Sequence, residues 1–150
     1  MQESRLSPLH MKVIVAAHIL ADRHGALADV GRLLAVMSAI APGRPEIVAA
    51  QARNLMFAKN YADARSLLAS TEAEHPKNAV IKSMLAMCMY IQKDGLWEAY
   101  AEEALALPRD AIAHGIVESI VKVSGTALRG LNPPQTHDAE LPFSYFGLAC

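Results

Sequence analysis

Cysteine, aromatic residues and charge are all scarce in this chain of 150 residues, and each scarcity excludes something. Two cysteines, Cys88 and Cys150, cannot make a disulfide framework, and Cys88 sits in an apolar helical run that suits a buried thiol. Aromatics at 5%, against abundant alanine, favour closely packed helices over a sheet. Charged residues at 19% beside 53% hydrophobic ones exclude a disordered chain, which could not bury enough apolar surface. A net charge of -1 leaves no basic footprint for nucleic acid, and no polybasic run is present to meet an anionic membrane.

Catalytic signatures are missing as well. The sequence holds no HExxH, CxxC, GxSxG or glycine-rich phosphate loop. Its six histidines do not pair at helical spacing; His18 and His24, six apart, fall on different faces, and His18 and His114 read as core or boundary residues. No catalytic residue, metal ligand or cofactor is expected. The apolar stretch Val13 to Ala21 is too short to span a bilayer, is interrupted by His18 and runs into Asp22-Arg23-His24. It reads as a first repeat helix rather than a targeting signal, so no membrane span and a cytoplasmic location are expected.

What the sequence does contain is a period. Pro42 and Pro76 lie 34 residues apart, and each closes a segment that reads as two short helices. The first unit comprises helices Lys12 to Arg23 and Leu27 to Ala41 around a turn at His24-Gly25. The second comprises Glu46 to Ala58 and Tyr61 to Glu74 around Lys59-Asn60, with Pro45 at a helix start and Pro76 just past an end. The third, Ala79 to Gln92 and Leu96 to Leu107, needs one extra turn residue near Lys93-Asp94-Gly95. Asp110 then caps a seventh helix, Ala111 to Leu128, with Ile112, Ile116, Val117, Ile120 and Val121 on one face. The expected organisation is a flexible segment 1–9, an all-α repeat domain 10–129 and an apolar, Pro-containing tail 130–150. That tail carries Leu141, Phe143, Tyr145 and Phe146, and it either docks on the array or serves as an epitope for another molecule.

The second unit resembles the tetratricopeptide pattern. Ala52 and Ala64 take the small positions where two helices cross, Leu55 and Leu68 the large ones, Tyr61 the turn aromatic and Pro76 the closing proline. The stretch ARNLMFAKNYADARSLL from Ala52 to Leu68, then His75-Pro76 and the run Met84 to Tyr90, is similar to the HrpK-type family of small bacterial type III secretion proteins. It is more distantly similar to needle-subunit co-chaperones. That resemblance covers roughly residues 10 to 129 and implies a secretion accessory protein rather than an enzyme. Its association with the periplasm in some members makes that compartment the alternative location.

In a tetratricopeptide array the first helix of each unit lines a concave groove. Carried onto this chain, the geometry turns Val15, Ile19, Ala49, Arg53, Met56, Phe57, Val80, Ser83, Met87, Tyr90 and Ile91 toward the groove. An apolar groove with methionines suits the hydrophobic face of an amphipathic helix, such as a needle, pilus or other apparatus subunit. The groove can equally be filled by the chain's own last helix or tail, or by a second copy in a homodimer. Two functions stay open at this point: a chaperone-like accessory protein, or a self-associating structural component of the envelope in contact with peptidoglycan.

Overall fold

Gly25, Lys59 and Lys93 stand 34 residues apart, and all three hold left-handed backbone, with φ of 66°, 61° and 60°. The repeat period is therefore written into the turn geometry and not only into the prolines. The computed structural model describes residues 23–131. Among them are six α-helices and no strand: α1 (Leu27–Ile40), α2 (Pro45–Phe57), α3 (Tyr61–Glu74), α4 (Ala79–Ile91), α5 (Trp97–Ala106) and α6 (Ala111–Ser124). The expected first helix, Lys12 to Arg23, lies outside the described residues except for Arg23, as do the N-terminal segment and most of the tail.

Local chemistry sets most of the ends. α2 starts with Pro45, whose missing N–H costs nothing in a first turn. The Asn60 side chain accepts from Asp63 N, Asn78 accepts from Ile81 N at 3.0 Å, and Asp110 accepts from Ile112 N and Ala113 N at 2.9 and 3.0 Å. α2 and α4 close with the same pair of hydrogen bonds. Lys59 N and Lys93 N donate to Met56 O and Tyr90 O, while Asn60 N and Asp94 N donate to Leu55 O and Met89 O. After Lys93 the register slips, as the sequence requires, and α5 begins only at Trp97, with Asp94 Oδ1 accepting from Leu96 N. The last helix is shorter than its apolar pattern. Gly125 turns left-handed with φ 70° and its N–H caps Val121 O, so α6 stops at Ser124 rather than Leu128.

The helices form two layers. α2, α4 and α6 touch in succession and make the inner layer. Outside them, α1 packs on α2, α3 on α2 and α4, and α5 on α4 and α6. Among the described residues the outer helices do not touch each other. α4 is the centre: every residue from Ile81 to Met89 is buried. Ala52, Ala64, Ala86 and Ala101 are wholly buried in the close-packed core, where a larger side chain would have to displace its neighbours. The apolar interior divides in two. Val30, Leu34, Met37 and Ile47 form a small cluster between α1 and α2, and the rest of the core runs from Val48 to Leu128.

One buried residue of α4 is a cation. Lys82 Nζ lies 2.7 Å from both Glu72 Oε1 on α3 and Glu103 Oε2 on α5, with the Tyr100 ring 5.6 Å away. Burial alone would lower its pKa, but the hydrogen bonds and charges of Glu103 and Glu72 together raise it, so the ammonium stays charged inside. The lysine thus straps together two outer helices that do not meet.

Candidate functional site

The inner layer carries a groove of about 530 Å³. Ala49, Ala50 and Arg53 line it from one face of α2, at the spacing that a helix repeats along a single stripe. Val80 and Met84, four residues apart on α4, form its floor, and Met84 is itself almost entirely covered. Pro108, Asp110 and Ile112 close it from the start of α6. Glu46, Val80 and Ile112 are the second residues of α2, α4 and α6, so three equivalent first turns meet at one end of the groove.

Small side chains leave the floor open, and Ile112 stands over it with 61% of its surface exposed. The polar groups on the walls are mostly committed elsewhere. Asn78 and Asp110 cap their helices, and Glu46 pairs with Arg44 at 3.4 Å. Lys77 is exposed and makes no ion pair among the described residues. The arrangement offers apolar contact with a charged rim.

Of the residues expected to face a groove, Ala49, Arg53 and Val80 are brought together in it. Met56 and Met87 are not: they are 2% and 1% exposed and belong to the core. Ser83 is also wholly buried, its hydroxyl donating to Val80 O at 2.9 Å. Phe57, Tyr90 and Ile91 are half-buried. The Phe57 ring lies 5.8 Å from the Arg53 guanidinium, and the Tyr90 ring meets Trp97 edge-on at 5.4 Å, toward α5. Val15 and Ile19 lie outside the described residues. Sequence reasoning missed Ala50, Met84 and Ile112. The signal for Met84 was its spacing of four from Val80, and for Ile112 its place as the second residue after the Asp110 cap.

No helix among the described residues is long and apolar enough to cross a membrane. A family model described as bacterial type III secretion protein (HrpB1_HrpK) matches residues 1–126 of the chain. No curated protein and no solved structure matches it.

Proposed function

The chain belongs to the bacterial type III secretion protein family HrpB1_HrpK, and on that premise we propose that it is an accessory protein whose groove holds a hydrophobic helical subunit of the secretion apparatus. The observation that carries this reading is the apolar lining of Ala49 and Ala50 on α2 and of Val80 and Met84 on α4, with the exposed Ile112 of α6 completing it. An exposed apolar groove of this kind takes the face of an amphipathic helix, read through anchors three or four residues apart.

Covering a subunit's apolar face keeps that subunit from assembling before export. Work of that kind belongs on the cytoplasmic side, where export begins, and requires no catalysis. The helix pairs then serve as a tetratricopeptide-like scaffold whose inner layer presents the binding surface.

The test is co-expression with a needle- or pilus-forming subunit of a type III apparatus, followed by sizing of the product. A discrete complex that is lost in an Ile112→Asp variant supports the proposal. Recovery of the chain without the subunit, as a dimer or larger assembly and from the periplasm, replaces it with a self-associating structural role in the envelope.

A further inference from the structure

We infer that, when no partner is bound, the groove is occupied by the chain's own apolar segment Leu141–Phe146. The inference rests on the groove being the binding surface proposed above, and it adds a competitor for it. After α6 the chain turns back across α5: Leu128 is 5% exposed in the core, Arg129 N donates to Glu102 Oε1 at 3.3 Å, and a Cβ at Gly130 would lie 3.8 Å from that of Leu105. Leu105 precedes the groove-wall residue Pro108 by three positions, a distance of about 10 Å at most. The described chain therefore ends against α5, within reach of the groove. Ten residues from Leu131 to Leu141 can span up to about 33 Å, against a radius of gyration of roughly 13 Å for a domain of this size.

The chemistry of the two surfaces matches. Leu141, Phe143, Tyr145 and Phe146 supply an apolar block, and Ala49 and Ala50 on the groove wall are small enough to leave room for rings. Pro142 biases the residue before it toward extended backbone, the form in which alternate side chains reach into a groove. Asp138 and Glu140 come just before the block, and the exposed Lys77 on the groove wall makes no ion pair among the described residues. A tethered segment of this length acts at a millimolar effective concentration, so a weak fit suffices to keep the groove covered. A partner then binds by displacing the segment.

Two measurements on the full chain test this. With p-benzoylphenylalanine in place of Phe143, illumination is expected to cross-link within one chain to residues 45–53, 77–84 or 108–112. Cross-links between two chains, cross-links elsewhere, or none would overturn the inference. A fluorescein-labelled peptide of residues 139–150 is expected to bind the double variant Phe143→Ser, Phe146→Ser at least tenfold more tightly than the unaltered chain. Adding Ile112→Asp should remove that binding. Equal affinity for both chains, or binding to neither, overturns the inference. Neither measurement involves a secretion subunit. A seated tail without subunit binding therefore defeats only the proposed function, and subunit binding with the tail elsewhere defeats only this inference.

Discussion

Lys93 stands where Lys59 stands one repeat earlier: the same left-handed φ, the same two closing hydrogen bonds, the same junction between paired helices. Neither has the freedom of the glycine that fills the equivalent place at residue 25. A side chain in this conformation costs about 1–2 kcal/mol, while glycine loses about 0.4–1 kcal/mol through its looser unfolded chain. Lys59→Gly and Lys93→Gly should each stabilise the protein by about 0.5–1 kcal/mol, read as a higher urea midpoint. A lower midpoint would mean that the lysine side chains hold something the turn needs.

Lys82→Met should destabilise the protein by about 1–2 kcal/mol near neutral pH. That is less than for a fully buried pair, because Glu103 is 58% exposed and keeps its hydration. The pH dependence has a definite sign. The folded pKa of Lys82 is raised, so its contribution is complete below the ordinary lysine value of about 10.4 and is lost as pH rises through the folded value. The stability gap between the two proteins should stay level from about pH 6 to 9 and narrow above about pH 10.5. A gap that closes on acidification instead would point to the carboxylates as the controlling groups.

Cys88 should resist alkylation in the native protein. Burial pushes its thiol up to about 12, the nearby Arg65 charge only partly opposing this, so almost no thiolate exists near neutrality. Iodoacetamide at pH 8 is expected to leave the Cys88 peptide unmodified until denaturant is added, as read by mass spectrometry. Rapid native modification would show that α4 opens on the time scale of the reaction.

Met87→Glu and Ile112→Asp should separate stability from binding. The first buries a carboxylate without a partner in the centre of α4 and should cost several kcal/mol, about 3–5. The second alters an exposed side chain and should change stability by no more than about 0.5 kcal/mol. Thermal melts of the two variants are the check; a marginal loss for Met87→Glu would mean that the core opens locally to solvate it.

The helices were legible because their boundaries are chemical. Asn60, Asn78 and Asp110 cap, Pro45 starts, and the αL positions close, so α3 falls at Tyr61–Glu74 as the sequence indicates. The end of α6 was not, because the apolar spacing continues to Leu128 while Gly125 turns the chain left-handed beneath it. The groove was legible only in outline. Periodicity says which residues face inward, but on a central helix such as α4 nearly every face is inward, so Met87 and Val80 look alike in sequence and differ only in what crosses over them. Burial there depends on packing between helices, as at Ala52 and Ala86, which are buried in one cluster though they belong to different helices, and no local pattern connects them.

Among the described residues, the division of the interior into two clusters lets α1 separate from the rest. Among the described residues α1 rests on α2 alone, through Val30, Leu34, Met37 and Ile47, and contributes no wall to the groove. α2 is held independently from its other side by Val48, Ala52 and Met56. Fraying that begins at α1 can therefore run to completion and still leave the surface of Ala49, Val80 and Ile112 assembled.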